Sequence, residues 1–114
     1  MNLNDASVEY IDVNDALNRV GGNMDLYKRL LKRFLEGNQM EELRTALQEE
    51  NIEEAARLAH TIKGVSANLS LIKLREITTD LEHILKDSLD SSAKLAELSD
   101  AYDETARIIT ESIS

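Results

Sequence analysis

The chain has 114 residues with no Cys, Pro or Trp, and its 13 basic and 22 acidic residues leave a net charge of −9. This length fits one domain, and a hydrophobic fraction of 42% predicts a soluble, folded protein. The absence of Cys excludes a disulfide framework and Cys-ligated metals, while an acidic balance with no basic patch argues against binding to nucleic acid or to an anionic membrane surface.

Apolar residues recur along the chain at spacings of three and four, which is the helical period. Asp12 is the expected N-cap of a short first helix that ends at Gly21-Gly22. Asn23 is expected to cap the second helix, whose apolar positions change side near Gly37-Asn38. The helix must kink or break there, or bury both sides. We expect one long helix with a defect at this point.

The second half of the chain predicts three more helices. Asn51 and Glu54 form a capping-box pattern that opens a helix over 52–69, Ser70 is the expected N-cap of the next, and a polar loop over 87–92 precedes the last. The predicted fold is all-α: an antiparallel up-down four-helix bundle with a short extra N-terminal helix. We place this domain at 12–113 and expect residues 1–11 to be a flexible N-terminus. These first residues lack the pattern of a signal peptide, so we expect a cytoplasmic protein.

The helix over 52–69 has an unusual outer face. Its apolar residues form one stripe, and His60 points the opposite way, to solvent. Gly64 costs about 1 kcal/mol relative to Ala in a helix interior, and it lies outside the stripe, so we interpret it as an opening through which another molecule approaches. His83 also faces outward but among ordinary polar residues, and we expect no function for it. The neighbours of His60 on the outer face are Ala56, Arg57, Lys63, Gly64, Ala67 and Asn68.

Residues 59–70 read AHTIKGVSANLS. This segment resembles the signature of histidine-containing phosphotransfer (HPt) domains, in which two residues separate His from Lys-Gly and a Leu-Gly pair follows. The resemblance extends over residues 12–112 and implies that His60 is the phosphoacceptor, Lys63 the cation beside the phosphoryl group, and Gly64 the gap that admits the partner. Ser70 departs from the signature, which usually has Gly at that point. The resemblance and the open face together imply a partner-binding surface at Ala56, Arg57, Gly64, Ala67 and Asn68.

The resemblance implies a phosphocarrier of a multistep phosphorelay, not an enzyme. It would accept a phosphoryl group from the receiver-domain aspartate of a response regulator, or of a hybrid sensor histidine kinase, and pass it to another receiver. The receiver would supply Mg²⁺, so we expect no cofactor and no metal site in this chain. The sequence contains no Walker segment and no Gly-x-Gly-x-x-Gly. We expect a monomer that docks transiently over a modest area.

Other interpretations remain open. The phosphoacceptor domain of a chemotaxis-type histidine kinase shares the His-x-x-Lys-Gly pattern, but there a separate kinase domain would supply the phosphoryl group from ATP. A non-catalytic helical interaction module would leave Gly64 unexplained. The dimerisation domain of a sensor kinase is disfavoured because Thr61 follows His60 and the chain has no Pro. A metal-carboxylate bundle is disfavoured because the motif Glu-x-x-His is absent.

Overall fold

The computed structural model describes Leu3 and residues 8–113. Within this part of the chain all regular structure is helical, which confirms the all-α class. Consecutive helices pack on each other from the third to the sixth, and the second packs against the sixth around a common core. The six helices are α1 (Val13–Arg19), α2 (Met24–Glu36), α3 (Gln39–Gln48), α4 (Ile52–Asn68), α5 (Ile72–Lys86) and α6 (Ser92–Ile113).

Three of the predicted helix N-caps are confirmed. The side chains of Asp12, Asn23 and Asn51 each accept a hydrogen bond from the backbone N–H three residues later, at 3.1, 3.0 and 3.2 Å. Such a bond satisfies one of the N–H groups that the first helical turn leaves without a partner. Gly21 and Gly22 both have positive φ, 66° and 80°, a conformation that costs glycine little and that ends α1 here.

The chain does not form one long second helix with a defect, so that prediction is wrong. Gly37 is extended, with φ −79° and ψ 162°, and α2 and α3 are two separate helices on either side of Gly37-Asn38. Leu31 on α2 and Leu43 on α3 are both fully buried. In one continuous helix, the two apolar stripes would lie on different sides. The break therefore allows both stripes to face the core.

Ser70 is not an N-cap, and that prediction is also wrong. Its φ of 55° is left-handed, and Leu71 holds the cap position of α5 without a side-chain hydrogen bond. The Ser70 hydroxyl donates instead to the Asp15 carboxylate at 2.6 Å, and its carbonyl accepts from the Asp12 N–H at 3.0 Å. The hydrogen bond from Ser70, with the pairing to Arg19, lowers the pKa of Asp15. A left-handed φ favours glycine, the residue that the HPt signature usually has at this point.

A hydrogen bond from Tyr27 links α2 to the C-terminal end of α4, the helix that carries His60. The side chain is fully buried, its hydroxyl donates to the Leu69 carbonyl at 2.6 Å, and burial raises the pKa of Tyr27. A buried carbonyl that loses its donor costs free energy because water cannot replace the bond.

We therefore expect Tyr27→Phe to lower the free energy of unfolding by about 1–3 kcal/mol, measured by urea denaturation with circular dichroism. Tyr102→Phe is the control, because the Tyr102 hydroxyl has no hydrogen-bond partner in the described part of the chain. The control should unfold close to the wild-type midpoint. Equal stability of Tyr27→Phe and the wild type would show that this hydrogen bond contributes nothing.

The predicted flexible N-terminus lies largely outside the described residues and stays a prediction, as do the domain limits of 12 and 113. Of its described residues, Leu3 and Ile11 are buried in the core, and Glu9 accepts a hydrogen bond from Lys73 at 3.2 Å. Over the described ranges, no helix is both long and apolar enough to cross a membrane.

Candidate functional site

The rotation of α4 is fixed by its buried side. Ala55, Ala59 and Ile62 are each no more than 1% exposed, and these small and branched side chains hold that side of the helix against the core. His60 consequently emerges on the opposite side with 74% of its side chain exposed. Ile52, an apolar residue at the start of the helix, is 43% exposed.

Glu82 on α5 contacts both His60 and Lys63. One carboxylate oxygen lies 3.1 Å from His60 Nδ1, and the other accepts a hydrogen bond from Lys63 Nζ at 3.1 Å. The Glu82 side chain is 23% exposed, so this bridge sits at the seam between the two helices. Sequence reasoning missed Glu82 because it treated the outer face of α5 as an ordinary solvated surface. No local pattern marks Glu82, since the contact depends on how α5 packs against α4.

The carboxylate orients the imidazole of His60. An acceptor at Nδ1 favours the neutral tautomer with its hydrogen on Nδ1, because that N–H can then donate to Glu82. The lone pair of the ring then lies on Nε2, at the outer end of an exposed side chain. The arrangement makes Nε2 the ring atom that can attack an electrophile from solvent.

Lys63 brings the cation of the site within one helical turn of His60. Its side chain is 31% exposed, and one of the three N–H donors of the ammonium group is engaged by Glu82. The other donors remain available to an anion held beside the imidazole. The site thus combines an oriented imidazole nucleophile with a positive charge that can neutralise the negative charge on the oxygen atoms of an anionic group bound beside it.

The surface of α4 next to His60, apart from the contact with Glu82, carries short side chains and is open to solvent. A Cβ atom at Gly64 would meet nothing within 4 Å, so no contact inside the protein requires glycine there. Ala56 and Ala67 are half-buried, and Asn68 at the end of the helix is exposed. Ala56 and Gly64 lie one turn before and one turn after His60 on α4, and Ala67 lies about one turn after Gly64.

The surroundings of Arg57 and His83 bear on the predictions. Arg57 is bound through two guanidinium nitrogens to the Glu54 carboxylate, which raises the pKa of Arg57. Its charge is therefore already neutralised in part before any partner arrives. His83 is exposed on α5, and its ring makes no hydrogen bond with the described residues.

No group of three or more His, Asp or Glu side chains in the described residues could hold a metal ion.

A sequence model of the Hpt domain matches residues 29–108, well over half of the chain. The matched range contains His60, Lys63, Gly64 and Glu82. Comparison with curated proteins and with solved structures found no match.

Proposed function

The chain belongs to the Hpt domain family, the histidine phosphotransfer domains of two-component phosphorelays, and from that premise we propose that His60 is its phosphoacceptor. His60 takes the phosphoryl group from a receiver-domain aspartate and passes it to another receiver. The observation that carries this proposal is the geometry of the ring: Nδ1 lies 3.1 Å from the Glu82 carboxylate, which leaves Nε2 as the second ring nitrogen of a side chain that is 74% exposed. Hpt domains are phosphocarriers rather than catalysts.

The transfer step can be written from these residues. Nε2 attacks the phosphorus of the aspartyl phosphate in line, the N–P bond forms, and the P–O bond to the aspartate breaks so that the carboxylate leaves with the electron pair. The ring then carries a positive charge, which the Nδ1–H bond to Glu82 stabilises. Lys63 donates to a phosphoryl oxygen. The reverse sequence delivers the group to the second receiver.

The partner completes the site. We propose that the receiver supplies Mg²⁺ and that this chain has no ATP, cofactor or metal site of its own. Ala56, Arg57, Gly64, Ala67 and Asn68 form the surface on which the receiver sits. The proposed partners are those expected from the sequence: the receiver domains of response regulators and of a hybrid sensor kinase. Neither nucleic acid nor a membrane is among them.

The assembly and fold are proposed in the same terms. The helices α2 and α3, which are separated by the break at Gly37-Asn38, together form one of four antiparallel layers, and α4, α5 and α6 form the other three of an up-down four-helix bundle. The packing of α3 on α4, α4 on α5, α5 on α6 and α2 on α6 supports this arrangement. The exposed large apolar residues of the described chain, Val8, Ile52 and Leu89, lie in three separate segments, which supports a monomer. The cytoplasmic location expected from the sequence is part of the proposal.

A labelling experiment tests the proposed function. The pure protein is mixed with receiver domains that have been phosphorylated with radiolabelled acetyl phosphate, and any label is mapped by its acid lability and by mass spectrometry. We expect the label on His60. Label on another residue, or none from any receiver, would contradict the proposal, whereas labelling only by an ATP-bound kinase domain would favour the chemotaxis-type alternative.

Lys63→Ala is expected to slow transfer to His60 by about 10- to 100-fold, because a hydrogen bond to a charged group contributes about 1.5–3 kcal/mol. Thermal unfolding should change little, since the Lys63–Glu82 pair is partly exposed. Lys86→Ala, which removes an exposed cation from α5, is the control and should transfer at the wild-type rate. Single-turnover transfer from a phosphorylated receiver gives the rates, and a Lys63→Ala rate within twofold of wild type would remove Lys63 from the site.

A further inference from the structure

Two cations flank His60 along α4, and each of them is paired with a carboxylate. Lys63 lies three residues after His60 and donates to Glu82 of α5. Arg57 lies three residues before His60 and is bound through two guanidinium nitrogens to Glu54, one turn further back on the same helix. Residues three apart on a helix are neighbours, so both cations start within reach of a group attached to the imidazole.

Arg57 and Lys63 lie on different sides of the imidazole. Steps of about 100° per residue put Arg57 about 60° from His60 in one direction around the helix, and Lys63 about 60° in the other. The Lys63 side faces α5, because the Glu82 carboxylate contacts both Lys63 Nζ and His60 Nδ1. The two nitrogens of an imidazole point in nearly opposite directions, so Nε2 is directed away from Glu82. Of the two cations, Arg57 is the one on the side away from Glu82.

A phosphoryl group can displace Glu54 from Arg57. The side chains of Arg57 and Glu54 are 61% and 41% exposed, and an ion pair at such a position adds little to stability because water screens it. A phosphorylated side chain carries a charge of about −1.5 to −2 near pH 7 and offers three acceptor oxygens. A guanidinium group binds phosphate through two parallel hydrogen bonds. The phosphoryl group is therefore the stronger acceptor in this competition.

We propose that Arg57 is a second phosphoryl-binding residue of this site, and that Glu54 holds it back until His60 is phosphorylated. The inference rests on the proposed function and deepens it. When the N–P bond forms, the guanidinium leaves the Glu54 carboxylate and donates to the phosphoryl oxygens, while Lys63 donates from the other side. No covalent bond of Arg57 changes. Arg57 thereby stabilises the phosphorylated chain itself, whether or not a receiver is docked.

The equilibrium of phosphoryl exchange separates this role from docking. The phosphorylated chain and a free receiver give the free chain and a phosphorylated receiver, and all four species are separate proteins. A contact that Arg57 makes only with a docked receiver changes the forward and reverse rates by the same factor and leaves the equilibrium constant unchanged. A contact with the phosphoryl group in the separate, phosphorylated chain shifts the equilibrium toward that chain, because only this state gains it.

Arg57→Gln and Glu54→Gln should shift this equilibrium in opposite directions. The probe is a receiver that labels wild-type His60, and the ratio of the two phosphorylated proteins is measured in dilute solution before the aspartyl phosphate hydrolyses. We expect Arg57→Gln to shift the ratio about three- to tenfold toward the receiver, because the phosphoryl group loses a charged donor. Glu54→Gln removes the competing carboxylate and should shift the ratio about twofold toward the chain. Arg57→Lys keeps the charge and should lose less than Arg57→Gln.

The matched control for these variants lies on α6. Arg107 binds Glu104 in the same arrangement, with the carboxylate three residues before the guanidinium. Arg107→Gln and Glu104→Gln therefore change the net charge of the chain by the same amounts but on another helix. Both should leave the equilibrium constant unchanged, and circular dichroism checks that every variant is folded.

The outcomes distinguish this inference from the proposed function. An equilibrium constant that Arg57→Gln and Glu54→Gln both leave unchanged would overturn the inference even if transfer slows, and Arg57 would then act in docking alone. Equal shifts in the α6 variants would also overturn it, because net charge would then explain them. In either case label on His60 leaves the proposed function intact. If no receiver labels His60, the proposed function fails and this inference fails with it.

Discussion

His60→Gln is expected to abolish phosphoryl transfer and leave the fold unchanged. Glutamine keeps a polar side chain at the position but has no ring nitrogen that can attack phosphorus. The His60 side chain is 74% exposed, so its replacement removes no core contact, and surface substitutions usually change the free energy of unfolding by no more than about 0.5 kcal/mol. Glu82 keeps its hydrogen bond from Lys63. Transfer from a phosphorylated receiver and a urea denaturation curve measure the two halves of this expectation.

The second histidine of the chain, His83, provides the control for this variant. His83 lies on α5 and is also exposed, so His83→Gln removes the same chemical group from a place where it should do nothing. We expect wild-type transfer from His83→Gln and no acid-labile label on His60→Gln. Label that persists in His60→Gln and disappears in His83→Gln would assign the phosphoacceptor to α5.

The features that sequence predicted correctly are set by neighbours a few residues away. The caps at Asp12, Asn23 and Asn51 depend only on the N–H group three residues later. The exposure of His60 depends only on the helical period and on the apolar residues of α4. Such patterns are complete within one turn or one helix, so they can be recognised without knowing where the other helices lie.

The features that sequence missed depend on contacts between distant segments. Ser70 looked like a helix cap, but its hydroxyl binds Asp15, 55 positions away in the chain. Glu82 lies 22 positions after His60, and its contact is fixed by the alignment of α5 against α4. The break at Gly37 was indicated by the change of apolar side, but the choice between a bent helix and two helices depends on the core they share.

Gly64→Leu is expected to make the protein more stable and yet lower transfer to His60 by about 100-fold or more. Leucine has a helix propensity close to that of Ala, and Gly costs about 1 kcal/mol relative to Ala. A Cβ at this position meets nothing within 4 Å, so the free protein accommodates the new side chain. Its atoms would occupy the space one turn from His60 through which, on the proposed function, the aspartyl phosphate approaches to about 3–3.5 Å. A displacement of about 1 Å can cost about 10²-fold in rate.

Opposite changes in stability and rate separate a docking effect from a folding effect. Gly64→Ala should gain nearly the same stability with a smaller loss of rate, because a methyl group projects less from the helix. Ala96→Leu adds an equal side chain to the exposed surface of α6, away from the site, and should leave transfer unchanged. Thermal unfolding and single-turnover transfer from one phosphorylated receiver measure all three variants. Wild-type transfer by Gly64→Leu would show that the partner does not approach over this residue, and the absence of a side chain there would then have no role in docking.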